Sequence, residues 1–104
     1  MKHFHFIGIG GMGMGNLASL MLAQGYKVSG SDIKESQLTS YLRAQGALIR
    51  IGHAAKNIDH PDCVVYSSAI KHDNPEMKEA RRKKILIQKR ARLSAHPYRQ
   101  SAQQ

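Results

Sequence analysis

The sequence predicts an α/β protein of Rossmann-like, doubly wound type, with a five-stranded parallel sheet in the strand order 3-2-1-4-5. Three observations carry this expectation. Short apolar runs alternate with stretches of helical periodicity along the chain. A glycine-rich turn, G-x-G-x-x-G at Gly8, Gly10 and Gly13, joins the first run to the first helix. An acid, Asp32, closes the second strand 19 residues past Gly13. Strand–helix–strand units cross over right-handed, which makes successive strands parallel.

Strand one is expected over Lys2–Ile7, with its apolar character running on to Ile9. Alternation puts Phe4 and Phe6 on one face and His3, His5 and Ile7 on the other. In the turn, Gly8 is expected to let the chain bend sharply. Gly10, without a Cβ, would let a phosphate approach the backbone, and Gly13 would let the helix lie close on the strand. The first amides of the following helix have no intrahelical acceptor, and the helix dipole is positive there. Gly10 to Gly13 is therefore a candidate phosphate or diphosphate site. Asp32 is placed to accept hydrogen bonds from a ribose or base. The plainer alternative is a glycine turn kept for packing alone.

The first helix spans roughly Met12 to Gln24, with Met14, Leu17, Ala18, Met21 and Leu22 as its buried stripe. Gly15 in its first turn costs up to about 1 kcal/mol relative to Ala and would leave a phosphate extra room. Gly25 ends the helix, and strand two follows over Tyr26–Asp32. A second helix, Gln37–Gln45, has Ser36 as N-cap, Gly46 as stop, and Leu38, Tyr41 and Leu42 as its buried face. Strand three is Leu48–Ile51, ending in Gly52-His53, and a short helical or irregular piece covers Ala54–His60. Strand four, Cys63–Ser67, reads as buried on both faces.

The loop Ser67–Glu76 lies at the carboxyl end of strand four. In the order 3-2-1-4-5, strands one and four flank the switch point where ligands bind, so this loop should face the glycine loop. Asn74 caps and Pro75 opens a third helix, Pro75–Lys84. Strand five is Ile85–Gln88, and Lys89–Leu93 is a candidate helix start. Residues 1–93 form the expected domain. The polar stretch 94–104 is expected to be disordered.

Composition bounds the function. A chain of 104 residues suits one domain. It has no apolar run long enough to span a membrane, and Met1-Lys2-His3-Phe4 leads straight into a strand without a signal-peptide core. The single cysteine, Cys63, fits a reducing cytoplasm and reads as a small core residue. His3 and His5 at i, i+2 lack a third ligand nearby, which favours packing over metal. The net charge of +9 is uneven. Residues 1–70 hold six Lys/Arg against four Asp/Glu, whereas residues 71–104 hold ten against three.

With these residues in place, the chain resembles the Mur ligase family. The resemblance rests on His5-Phe6-Ile7-Gly8-Ile9-Gly10-Gly11-Met12-Gly13-Met14, followed in order by three further segments. These are Gly30-Ser31-Asp32, Ile51-Gly52-His53, and Ser67-Ser68-Ala69-Ile70-Lys71 with Asp73-Asn74-Pro75-Glu76. It covers about residues 4–93. It is most similar to the members that add L-alanine to UDP-N-acetylmuramate, while the tripeptide-adding members share the domain but differ in the fourth-strand loop.

The resemblance implies a domain that holds the UDP part of UDP-N-acetylmuramate. Two further domains of the parent enzyme would bind ATP and the amino acid. The implied reaction activates the lactyl carboxylate as an acyl phosphate, which the amine then attacks, and it uses Mg²⁺. By the same resemblance, Gly10, Gly11, Met12 and Gly13 would present amides to the diphosphate. Asp32 and His53 would lie near the uridine, and Ser67, Ser68 and Ala69 would line the opposite wall. No G-x-x-x-x-G-K-[ST] occurs in the sequence, so this chain alone is expected to bind UDP-sugar without ligating. No catalytic or metal-ligating residue is assigned.

Two readings from other classes compete. The glycine loop with Asp32 also permits a nicotinamide dinucleotide domain, but the Ser67–Glu76 loop and the short length speak against it. The basic run Lys78, Arg81, Arg82, Lys83, Lys84, Lys89, Arg90 and Arg92 permits nucleic-acid binding. It lacks interleaved aromatics for stacking and suits a solvated face.

Overall fold

The computed structural model describes residues 2–91. Among these, five strands form one parallel sheet: β1 (His3–Ile7), β2 (Lys27–Asp32), β3 (Leu48–Ile51), β4 (Cys63–Tyr66) and β5 (Leu86–Lys89). Their order is β3-β2-β1-β4-β5, as the sequence predicts. Central β1 pairs with β2 from His3↔Lys27 to Ile7↔Ser31 and with β4 from Phe4↔Cys63 to Phe6↔Val65.

The helices α1 (Met12–Ala23), α2 (Gln37–Ala44) and α3 (Pro75–Arg82) cover both faces. Phe4 and Phe6 of β1 pack with Met14, Leu17, Ala18, Met21, Leu42 and Val65 in one core layer. Ile7 and Val64 face the other way, against Met77, Ala80 and Ile58. The run Cys63-Val64-Val65 is thus buried from both sides, and Cys63 is a buried free thiol. Burial pushes that thiol up to about 11, which keeps it unreactive.

All three helices end in the same way. The amide two positions past the C-cap reaches the carbonyl three residues inside the helix: Tyr26 to Met21 at 3.1 Å, Ala47 to Leu42 at 3.0 Å and Ile85 to Ala80 at 2.9 Å. The residue between must be left-handed. Gly25 and Gly46 supply this at φ +92° and +112°, but the third helix uses Lys84 at φ +58°. This motif holds Ile85 in the helix ending, which is why β5 starts one residue later than the periodicity suggests. For the same reason Tyr26 precedes β2.

Other boundaries differ by a residue or two. Ser67 lies beyond β4, and Ala54–His60 contains a single 3₁₀ turn at Ala55–Asn57. Tyr41 is 55% exposed rather than buried; Thr39 takes the buried place beside Leu42. Ser36 caps α2 as expected, in a reciprocal box with Thr39. Arg90 and Ala91 are helical, while the rest of the candidate helix and residues 94–104 lie outside the described residues.

Candidate functional site

Three loops gather at the carboxyl ends of β1, β3 and β4. The first is built by Gly8. Its amide and that of Ile9 both donate to the Ser31 carbonyl, at 2.8 and 2.9 Å, and Gly8 turns at φ +80°. Ile9 therefore belongs to the turn and not to the strand. The Gly11 amide closes the turn onto the Gly8 carbonyl at 3.0 Å.

Asp32 ties this loop to β2. Its Oδ2 accepts from the Gly10 amide at 2.7 Å, and its Oδ1 accepts from the Ile33 amide at 2.8 Å. A Cβ on Gly10 would lie 2.7 Å from that Oδ2 and 3.2 Å from Thr39 Cγ2. The missing side chain at Gly10 thus admits an aspartate and a helix.

Helix α1 begins at Gly11 without a side-chain cap, and no acid lies in its first turn. The first amide to bond within it is that of Gly15, to the Gly11 carbonyl at 2.7 Å. The amides of Met12, Gly13 and Met14 are the donors that helix geometry leaves over. Gly10 and Gly11, expected among the donors to an anion, spend their amides inside the protein.

The third glycine of the motif also has a different neighbour. A Cβ on Gly13 would lie 3.0 to 3.2 Å from the guanidinium of Arg90, so Gly13 makes room for a cation. Gly15 is likewise explained by packing: a Cβ there would lie 2.9 Å from Leu38 Cγ on α2. Arg90 stands far along the chain from Gly13, and nothing local in the sequence pairs them.

The second loop carries His53. The Gly52 amide donates to the Asp32 carbonyl at 2.6 Å, and His53 Nδ1 lies 2.9 Å from Ser31 Oγ. Behind Ser31 sits Glu76, fully buried at the start of α3. Its Oε1 accepts from His5 Nε2 at 2.7 Å and from Ser31 Oγ at 2.8 Å. Its Oε2 accepts from Asn57 Nδ2 at 2.7 Å and from the Ala54 amide at 3.1 Å. Burial pushes the Glu76 carboxyl up, but the hydrogen bonds from His5, Asn57 and Ser31, with the charge of His5, outweigh it and hold it below the usual range. His3 and His5 share Ser29 Oγ at 2.7 and 2.8 Å, so both serve packing. Among the described residues no three His, Cys, Asp or Glu side chains converge to hold a metal.

A shallow depression beside His53 is lined by Arg50, Ile51, Gly52, Ala54, Lys56 and Asn57. It opens at the end of β3, to one side of the glycine loop.

The third loop is a turn in which the Ile70 amide reaches the Ser67 carbonyl at 3.0 Å. Ser67 is half-buried, whereas Ser68 and Ala69 are exposed. Ile70 Cδ1 comes within 3.2 Å of where a Gly8 Cβ would stand, so the two loops meet across the switch point as expected. Three residues of the basic run are engaged at home. Arg82 makes two bonds to Glu79 at 2.7 and 2.8 Å, Lys83 reaches the Ile58 carbonyl at 2.7 Å, and Arg81 reaches the His72 carbonyl at 2.8 Å. Arg92 lies outside the described residues.

The sequence and fold are similar to those of known proteins. The family model described as "Mur ligase family, catalytic domain" matches residues 3–101. The UDP-N-acetylmuramate–L-alanine ligase of Aquifex aeolicus is 50% identical over 99 residues, which cover 95% of this chain and 22% of the relative. The solved UDP-N-acetylmuramate–alanine ligase of Thermotoga maritima superposes with a TM-score of 0.85 at 37% identity, over 99% of this chain and 23% of that one. A murein peptide ligase of Psychrobacter arcticus gives 0.85 at 28% identity, over 92% and 21%. The chain thus spans about a fifth of the length of the relatives it matches.

Proposed function

This chain belongs to the Mur ligase family, and we propose that its residues 1–93 are the domain that holds UDP-N-acetylmuramate in a UDP-N-acetylmuramate–L-alanine ligase. The higher identity to the alanine-adding structure than to the murein peptide ligase, 37% against 28%, supports that choice. The observation that carries the ligand reading is the uncapped start of α1 beside a cation at the switch point. Oriented amides, a positive dipole end and the Arg90 guanidinium together suit a diphosphate.

In this reading the Met12 and Gly13 amides, with Arg90, hold the diphosphate. Gly10 and Gly11 shape the loop. Asp32 and His53 lie toward the uridine, and Ser67, Ser68 and Ala69 form the facing wall toward the sugar. The domain supplies capture and orientation of the lactyl carboxylate, so that its activation and the attack by the amine become steps between held groups. It performs no proton or phosphoryl transfer itself.

ATP and Mg²⁺ would serve the parent reaction, but the residues here do not fit them. The sequence has no G-x-x-x-x-G-K-[ST], and the described residues bring together no metal-holding set. The ATP-binding and amino-acid domains of the parent enzyme are the proposed partners. No helix among the described residues is long and apolar enough to cross a membrane. The cytoplasm is the proposed location, on the reading of the chain as part of a UDP-N-acetylmuramate–L-alanine ligase.

Calorimetry with UDP-N-acetylmuramate, UDP and NADH in parallel tests this. Binding of both UDP compounds with none of NADH is expected. Preference for NADH moves the chain to the dinucleotide-binding class.

A further inference from the structure

Glu76 is the most deeply buried charge among the described residues, and the proposed function gives it no task. Four donors converge on its carboxylate: His5 Nε2, Ser31 Oγ, the Ala54 amide and Asn57 Nδ2. These hydrogen bonds outweigh burial and hold the carboxyl below its usual range, so it is ionised. That charge fixes the protons around it. Ser31 Oγ and Glu76 Oε1 stand 2.8 Å apart, and two oxygens at that distance need a proton between them. The Ser31 hydroxyl supplies it, because the carboxylate has none.

The Ser31 hydroxyl has then spent its one proton. Its oxygen is also 2.9 Å from His53 Nδ1, so this second contact requires a hydrogen on the nitrogen. Glu76 Oε2, 3.7 Å from the same Nδ1, favours that positive edge as well. A neutral His53 consequently carries its proton on Nδ1, and Nε2 is left as a bare acceptor. The same carboxylate holds the chain just past His53, through the Ala54 amide and Asn57, so it also sets where the ring stands. His53, Ala54 and Asn57 all line the depression at the end of β3.

We infer that Glu76, acting through Ser31, is a positioning residue that locks His53 in the Nδ1–H tautomer and makes Nε2 an acceptor for an N–H of the bound ligand. The inference deepens the proposed function and rests on it only for the ligand. In a UDP-sugar the matching donor is the imide N–H of uracil. A cytosine base presents an acceptor at the corresponding ring nitrogen, which a lone pair on Nε2 repels. The relay would thus select the base without touching it.

Long-range ¹H–¹⁵N correlation on the histidine-labelled, ligand-free chain reads the tautomer directly, at a pH well above the ordinary histidine range. The expected result is a protonated Nδ1 and a bare Nε2 at His53. Ser31→Ala should release that preference and move His53 toward the Nε2–H form, with the backbone spectrum otherwise kept. Parent protein in the Nε2–H form, or a tautomer unmoved in a folded Ser31→Ala, overturns the inference. A second arm compares UDP with its N3-methyl analogue. The parent should favour UDP by about tenfold, the scale of one hydrogen bond, and Ser31→Ala should lose most of that margin. Equal affinity for both compounds in the parent rejects the acceptor role. If neither compound binds, the proposed function fails while the tautomer still judges the relay.

Discussion

The Gly10 amide donates to the Asp32 carboxylate at 2.7 Å, which joins the glycine loop to the end of β2. The acid that in the sequence looks reserved for a ligand is also the anchor of the loop that would hold that ligand. A second amide, from Ile33, fixes its other oxygen. Substitution here should therefore act twice. Asp32→Ala is expected to cost about 1–3 kcal/mol of stability, since it strands the Gly10 amide, and to weaken UDP binding by a similar amount. Denaturant unfolding and calorimetry on the same protein measure the two effects. Loss of affinity with unchanged stability would show that the anchor role is negligible.

Arg90 lies against Gly13, where the α1 amides emerge. Arg90→Ala should weaken UDP binding about tenfold or more, as expected for a lost charge-assisted contact, and should flatten its salt dependence. Uridine, which has no phosphate, should bind the variant and the parent alike. An equal loss for UDP and uridine would mean that Arg90 acts by packing and not by charge.

Glu76 gives the fold a pH limit. Its carboxyl is held below its ordinary value of 4.5 in the folded chain. A depressed folded value means that the unfolded chain takes up the proton first as pH falls. The stabilising contribution is thus complete above about 4.5 and is lost as pH drops through the folded value. Glu76→Gln should flatten the acid limb of a stability-against-pH curve and lower stability at neutral pH, because an amide cannot accept four donors. An acid limb unchanged in Glu76→Gln would assign that limb to other carboxylates.

The third helix ends on a lysine in a left-handed conformation, φ +58° at Lys84, where the other two helices use glycine. For an L-residue that conformation costs about 1–2 kcal/mol, partly offset by the greater unfolded-state freedom of glycine. Lys84→Gly should therefore raise stability, by up to about 1 kcal/mol. The urea midpoint should rise with an unchanged slope, and a lower midpoint would indicate a contact of the lysine side chain that matters more.

Most of the fold is legible in the sequence because local chemistry and global layout agree. Cys63-Val64-Val65 reads as a strand covered on both faces, and Gly25 and Gly46 mark helix ends. Ser36 and Asn74 mark helix starts, and parallel connections leave few orders for the strands. The glycine motif marks the loop proposed as the site but does not show what each glycine packs against. Gly10, Gly13 and Gly15 each make room for a distant side chain, Asp32, Arg90 and Leu38. No local pattern records such pairs. Glu76 is the plainest case. A glutamate in the first turn of a helix reads as an exposed partner for the helix dipole. Only the assembled sheet, which brings His5, Ser31 and Asn57 around it, shows a buried hub. In that sheet His3, His5, Ser29 and Ser31 point from β1 and β2 to one face, where they are hydrogen-bonded to one another or to Glu76.

The α1 amides, Arg90 and the facing loop are proposed to hold a UDP-sugar. Chemical-shift titration of the labelled chain with UDP-N-acetylmuramate tests this most directly. Shifts concentrated at Met12, Gly13, Asp32, His53, Ser67–Ala69 and Arg90 are expected, with NADH leaving them unmoved. Shifts confined to other surfaces, or produced at these residues by NADH instead, would contradict it.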